Sequence, residues 1–322
     1  MLKVAVCISG VFRGNLEELK ELNEKLIKPL NADVFIATWD AYFPHSGSCG
    51  SIANFFNRTF GPHFAPLLKS EYRLSTNFKK IFPSVFRFYE TPHSIALPTD
   101  TIKAILSPQR ILICDQKKFE NFVCAFDEKM WNINPMYNWK NTLKMYFQIH
   151  CCNKELENYE EAIGEKYDIT IRIRPDLKLL SPITLDLLSN LKEQEVLTNV
   201  IEWGIDDSLF IARTSTMNKI ADLWKEMSRT KLLSPFKNFP HARTHLIFPL
   251  WLFKNKIQVI EGYFKTNLTY NSLNSIPDFR KELKQDFENI KDQQLKQDVQ
   301  KFVEELLTFL DKKYTNNTRS AK

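Results

Sequence analysis

Residues 2 to 38 read LKVAVCISGVFRGNLEELKELNEKLIKPLNADVFIAT, and this stretch decides the fold class. Leu2 to Ser9 is almost continuously apolar, the pattern of a strand covered on both faces of a parallel sheet. A turn follows over Gly10 to Gly14. Asn15, three residues ahead of Glu18, then offers a cap for a helix. Leu16, Leu19, Leu22 and Leu26 fall on one face of that helix, with Glu and Lys opposite. Ala32 to Thr38 is a second apolar strand. The chain therefore opens as strand, turn, helix, strand, the unit of doubly wound α/β sheets.

Further runs continue the alternation. Arg110 to Cys114 (RILIC) reads as a buried strand and Trp139 to Ile163 as a long helix carrying Leu143, Phe147, Leu156 and Tyr159. Tyr167 to Leu180, Ser208 to Ala212 and Lys256 to Phe264 read as strands. Met217 to Met227 and His241 to Phe253 read as helices, with Pro249 bending or ending the second. Residues 41 to 108 hold many Phe, Pro and His without a clear period, so a loop-rich insertion is expected there, with one strand at Phe86 to Glu90. From Asp278 the composition turns to Lys, Glu, Gln and Asp. Phe279, Leu283, Phe287 and Ile290, then Val299, Phe302, Leu306 and Leu310, mark two apolar stripes separated near Asp292. The expected organisation is an α/β catalytic domain over 1–275 and a C-terminal helical extension over 276–322, frayed beyond residue 311. The tail helix either packs on the domain or serves as a membrane-surface or self-association helix.

Composition excludes several classes. With 322 residues and only 8 glycines, the chain is a globular protein and not a solenoid or a disordered segment. The net charge of +6 is dispersed along the sequence, which argues against a nucleic-acid stripe. The six cysteines form no C-x-x-C pair, the mark of a reduced set. No signal-peptide core opens the chain and no run is long enough to span a bilayer. A cytoplasmic location is expected, with any contact to the inner membrane peripheral.

The chemistry concentrates in YDITIRIRPDLKLL, residues 167 to 180. Period-two alternation puts Ile169, Ile171 and Ile173 on one face and Thr170, Arg172, Arg174 and Asp176 on the other. Two arginines on an apolar strand are costly to bury without anionic partners. Pro175 cannot donate to a ladder, so the strand ends there and Asp176 reaches the carboxyl edge, where ligands bind open α/β sheets. Guanidinium groups suit a diphosphate through paired hydrogen bonds, and a strand-end aspartate suits a divalent metal. The alternative is a local Arg174–Asp176 pair.

Other candidates are weaker. ISGVFRGN is neither a P-loop nor G-x-G-x-x-G, but its glycines leave backbone amides for a nucleotide. Trp39 could wall a base or sugar and Asp40 bind a ribose hydroxyl; a core tryptophan and a helix cap are the alternatives. Asp206 and Asp207, just before SLFIA, could divide the work of holding an acceptor and accepting its proton, or form a solvated turn. His241 and His245 stand at i, i+4 without the glutamate of a metalloprotease helix.

Four segments together resemble the bacterial lipopolysaccharide and capsule glycosyltransferases of WavE-like type: VCISGVFRG (6–14), ADVFIATWD (32–40), YDITIRIRPDLKL (167–179) and DDSLFIA (206–212). The third has the form Tyr-Asp-x-x-x-Arg-x-Arg-x-Asp. It is more distantly similar to the strand that ends in the acidic motif of GT-A glycosyltransferases. The resemblance implies a GT-A-like fold, a nucleotide-sugar donor, a glycan or glycolipid acceptor, and a divalent cation, Mg²⁺ or Mn²⁺. It puts the metal or diphosphate at Asp176 with Arg172 and Arg174 beside it. Ser9, Gly10 and Arg13 would line the nucleotide, and Asp207, with Asp206, would activate the acceptor. Arg174-Pro175-Asp176 offers one carboxylate where that motif has two, which leaves the arginines as the alternative means of neutralising a diphosphate. Transfer of a phosphoryl or sulfuryl group, and a non-catalytic carbohydrate- or nucleotide-binding role, are the competing readings.

Overall fold

The computed structural model describes residues 2–14, 16–43, 55–90, 94–124, 139–201, 204–228, 244–268 and 276–319. The chain divides into two compact units. One comprises Met1–Phe12, Leu16–Tyr42 and Ala96–Leu268; the other comprises Arg13–Asn15, Phe43–Ile95 and Thr269–Lys322. The boundary expected at residue 275 is therefore corrected, because the last segment groups with residues 43–95.

Along the chain the strands are β1 (Val4–Ser9), β2 (Asp33–Trp39), β3 (Ala41–Tyr42), β4 (Ile95–Ala96), β5 (Arg110–Cys114), β6 (Ile169–Ile173) and β7 (Leu177–Leu179). After them come β8 (Glu195–Thr198), β9 (Val200–Ile201), β10 (Gly204–Ile205), β11 (Leu209–Arg213), β12 (Gln258–Glu261) and β13 (Thr266–Leu268).

In the first unit a seven-stranded sheet has the order β12-β8-β11-β6-β1-β2-β5. Its pairs are parallel except where β11 runs against β6 and β8. The fold is thus mixed α/β with a mostly parallel sheet, as the apolar runs predict. β1 and β6 are buried at every position because helices cover both faces. Cys152 and Leu156 of the helix Trp139–Ile163 pack on Ala5, Cys7, Phe35 and Ala37. Leu19, Leu22 and Leu26 pack on Val4, Val6, Ile8, Val34 and Ile36 on the opposite face.

Some readings change. β5 is not buried: it closes one edge of the sheet, and Arg110 and Ile113 are exposed. β8 was not anticipated, because its four residues EVLT sit in a charged stretch. The helix expected over 217–227 is two helices, Thr214–Ala221 and Leu223–Ser228.

The second unit is helical. Phe55–Phe64, Ser75–Ile81, Pro83–Glu90, Arg280–Glu288 and Gln293–Arg319 are its main helices. The loop-rich reading of 41–108 and the strand at Phe86–Glu90 are thereby overturned. Phe78, Phe82, Val85, Phe86 and Tyr89 recur at helical spacing and are buried with Phe55, Phe56, Phe60, Phe279 and Phe302. The tail stripe Val299, Phe302, Leu306 and Leu310 is buried in this same core, which favours packing over membrane attachment for that face. Asp292 caps the last helix by accepting from Leu295 N at 3.0 Å. That helix continues to Arg319, past the point where fraying was expected. Among the described residues no helix is long and apolar enough to cross a membrane.

Candidate functional site

Because β1 and β6 are parallel neighbours, Ser9 and Ile173 end at the same edge of the sheet. β11 runs the other way, so the residues just before it, Asp206 to Ser208, return to that edge. Arg172, Arg174, Asp176, Asp207 and Ser9 come together there.

Arg172 is 1% exposed. Its Nε donates to Ser9 Oγ at 2.9 Å, one Nη donates to the carbonyl of Asp207, and the other reaches Ser9 O at 3.4 Å. Its guanidinium also lies 5.7 Å from the centre of the Phe210 ring. Burial pulls its pKa down to about 10, with Arg174 adding to the fall and the Asp207 carboxylate opposing it. It remains charged at neutral pH. Its bonds tie the end of β1 to the start of β11, so it braces the site from inside.

Arg174 lies beyond the strand, in a turn closed by Leu177 N donating to Arg174 O at 3.2 Å. Its Nε and one Nη grip the two oxygens of Asp176 at 2.9 and 2.8 Å. The other Nη stands 3.7 Å from Asp207 Oδ1. Side-chain exposure falls from 23% for Arg174 to 15% for Asp207 and 2% for Asp176, so Arg174 has the most access to solvent. The local Arg174–Asp176 pair is therefore formed. Gly10 donates its backbone N–H to Ala37 O at 3.1 Å. Its φ of 129° lies where side-chain-bearing residues are strained, and an added Cβ would stand 3.5 Å from Pro175 Cδ. Backbone conformation, more than space, calls for glycine here.

Four candidates make their contacts elsewhere. Asp206 is engaged locally, with Oδ1 accepting from Ser208 N at 3.0 Å. Asp40 is exposed and accepts from Gln116 N at 3.1 Å, at the start of the helix Gln116–Cys124, whose capping carboxylate is Asp115. Trp39 is buried among Phe119 and Phe147, a core residue and not a wall for a ligand. Arg13 belongs to the short segment grouped with the helical unit, where its backbone bridges to Phe43. His241 lies outside the described residues.

Two residues near the cluster were not anticipated. Ser208 Oγ is buried without a hydrogen-bond partner among the described atoms. Tyr146 is buried, and its phenol is pushed upward by burial and further by the Asp207 carboxylate. Tyr146 lies in the helix Trp139–Ile163, and nothing in the sequence links it to residue 207.

A divalent cation does not fit this arrangement. Both oxygens of Asp176 are taken by one guanidinium, and among the described residues no three His, Cys, Asp or Glu gather as a metal group.

A separate cleft of about 710 Å³ opens at the other edge of the sheet, lined by Tyr167, Lys192, Arg213 and Asn218 among others. None of the candidates lines it. Its Lys166 is matched by Glu160 at 3.0 Å.

No family model matches the chain, and no curated protein matches it. Among solved structures it is similar to mouse xyloside xylosyltransferase 1 in its apo form, with a TM-score of 0.36, 8% identity, and coverage of 81% of this chain and 84% of that one. It is also similar to the apo form of the glycosyltransferase GlyE of Streptococcus pneumoniae TIGR4, with a TM-score of 0.29 and 10% identity over 81% of this chain and 45% of that one. Likenesses of this size decide nothing about function, which has to be read from the residues at the β1–β6–β11 edge.

Proposed function

We propose that the chain transfers a sugar from a nucleotide-sugar donor to a glycan or glycolipid acceptor of the lipopolysaccharide or capsule kind. The observation that supports this reading is the convergence of Arg174, Asp176 and Asp207 where β1 and β6 end and β11 begins. In open α/β sheets that edge is where ligands bind. A partly exposed guanidinium there suits the diphosphate of a donor, as a planar group that donates in pairs to phosphate oxygens. Asp207 is the carboxylate for the acceptor hydroxyl, since an Asp206 oxygen already accepts from Ser208 N. Arg172 acts through others, holding Ser9 and the residue 207 carbonyl in place. The basic surplus suits peripheral contact with an anionic inner-membrane face.

The test is calorimetric titration of the full chain with UDP-, GDP- and CMP-sugars, followed by turnover with the donor that binds. Saturable binding is expected. Asp207→Asn should keep that binding while lowering turnover by about 10²- to 10⁴-fold, the usual contribution of a positioned base. A wild-type chain that binds none of these donors, or an Asp207→Asn variant with unchanged turnover, overturns the assignment.

A further inference from the structure

A UDP- or GDP-sugar leaves behind a nucleoside diphosphate, and something in the site must balance its charge. The usual balance is a divalent cation held by carboxylates. Here the carboxylate in that position is committed elsewhere. Asp176 is 2% exposed at its side chain, and each of its oxygens accepts from the Arg174 guanidinium, at 2.9 and 2.8 Å. A paired, charge-assisted contact of this kind is among the strong ones available to a side chain.

Seating a cation on Asp176 would mean pulling Arg174 away from a nearly sealed carboxylate. The displaced guanidinium and the cation would then face each other beside a second guanidinium, that of Arg172, which already feels the charge of Arg174. Three positive groups would then crowd the Asp176 carboxylate, with Asp207 and Asp206 as the other acids at this edge. The other Nη of Arg174 points instead toward Asp207, 3.7 Å away. The guanidinium thus sits between the two carboxylates, the place a bridging metal would otherwise take.

We infer that Arg174, fixed in orientation by Asp176, is the resident positive charge of the donor site and stands in place of a divalent cation. This rests on the sugar-transfer reading for the identity of the ligand, a nucleoside diphosphate. Asp176 is then a positioning residue that sets the guanidinium plane, and it ligates nothing. Orienting a long side chain before the ligand arrives lowers the ordering cost of binding.

Two measurements on the full chain test this. The first is titration with Mn²⁺ followed by electron paramagnetic resonance, comparing wild type with Asp176→Asn. The expected result is no bound Mn²⁺ that depends on Asp176; a bound signal that Asp176→Asn abolishes overturns the inference. The second is calorimetric binding of UDP and GDP with EDTA or with Mn²⁺. Affinity should agree within about twofold between the two solutions. It should fall by roughly tenfold or more in Arg174→Ala, the scale of losing a charge-assisted contact, and recover in part in Arg174→Lys. Binding that EDTA abolishes, or that Arg174→Ala leaves intact, overturns it. If neither nucleotide binds in either solution, the assignment of a diphosphate to Arg174 fails; if no donor of the UDP-, GDP- and CMP-sugar panel binds either, the sugar-transfer reading fails with it, and the Mn²⁺ titration still decides whether Asp176 takes a metal.

Discussion

Each unit buries an ion whose short contacts are to backbone and hydroxyl dipoles, and these two ions have opposite signs. In the sheet unit Arg172 is 1% exposed and is surrounded by Ser9 Oγ and the carbonyls of Ser9 and Asp207. In the helical unit Asp286 is 3% exposed, and its Oδ2 accepts from the backbone N–H groups of Ser84 and Val85 at 2.8 and 3.0 Å. Those amides lie in the first turn of Pro83–Glu90, where orphan donors and the helix dipole favour an anion. Neither ion has an opposite charge among these short contacts; backbone and hydroxyl dipoles stand in for water. The difference lies in what each arrangement holds. Asp286 joins two helices of a phenylalanine core and serves architecture. Arg172 fixes two strand ends that carry Ser9 and Asp207, so the same physics there holds residues of the candidate site.

Replacing Arg172 by Met tests this contrast hardest. The variant keeps much of the volume but leaves Ser9 Oγ and two carbonyls short of a donor, so it should cost about 3 kcal/mol or more. Urea unfolding followed by tryptophan fluorescence reads it cleanly, because all six tryptophans fall within segments of the sheet unit. A variant as stable as wild type would mean that Arg172 is no brace. Asp286→Asn should cost about 1–2 kcal/mol, the scale of a helix-start anion weakened to a neutral acceptor. Its loss belongs in the helical circular-dichroism signal; an equal shift of the tryptophan midpoint would sink the distinction between the units.

Lys313 gives the smallest effect and a pH signature. Burial lowers its pKa to about 8, against a weaker opposing pull from Asp278. The unfolded chain holds that proton more tightly, so the cost to folding is full below pH 8 and fades as pH climbs toward 10.5. Lys313→Met should therefore stabilise the protein at pH 7, by less than about 1 kcal/mol because a half-exposed ammonium is screened. The gain should vanish near pH 10.5, the ordinary lysine value. The carbonyl of Ile276 keeps Tyr314 Oη as a donor at 2.6 Å, so the substitution leaves no orphan. Thermal melts by circular dichroism across pH 7 to 10.5 check the trend, and a variant with the wild-type slope would refute it.

Legibility in the sequence followed burial pattern. β1, β2, β6, β11 and the helix Trp139–Ile163 were plain because long apolar runs or clear periods marked them. Pro175 also marked the end of β6 correctly. Pro83–Glu90 misled because Phe86 and Phe88 alternate with Arg87, imitating a strand, while the buried set is Val85, Phe86 and Tyr89. β8 was hidden because it is only four residues long, opens on Glu195 and follows Lys192 and Glu193. At the site, the alternation of Arg172 and Arg174 was readable, but their fates were not. Arg172 went inward because β11 crosses beside it and Phe210 lies opposite, and that pairing depends on residues nearly forty positions downstream. Whether Asp176 takes a guanidinium or a metal depends on a turn geometry that residue identities leave open.

The helical unit is written in two distant passages of the chain, Phe43–Ile95 and Thr269–Lys322, with most of the sheet unit between them. A ribosome adding ~5–20 residues per second needs on the order of ten to thirty seconds to cross that interval. Through that wait Phe55, Phe60, Phe78 and Phe82 have emerged without Phe279, Phe302 and Leu306, the partners they are buried with once the chain is finished. The nascent protein therefore carries a greasy, half-built module while the sheet is already completing. A translation stall before residue 269 would release a product whose aggregation owes nothing to the sheet unit.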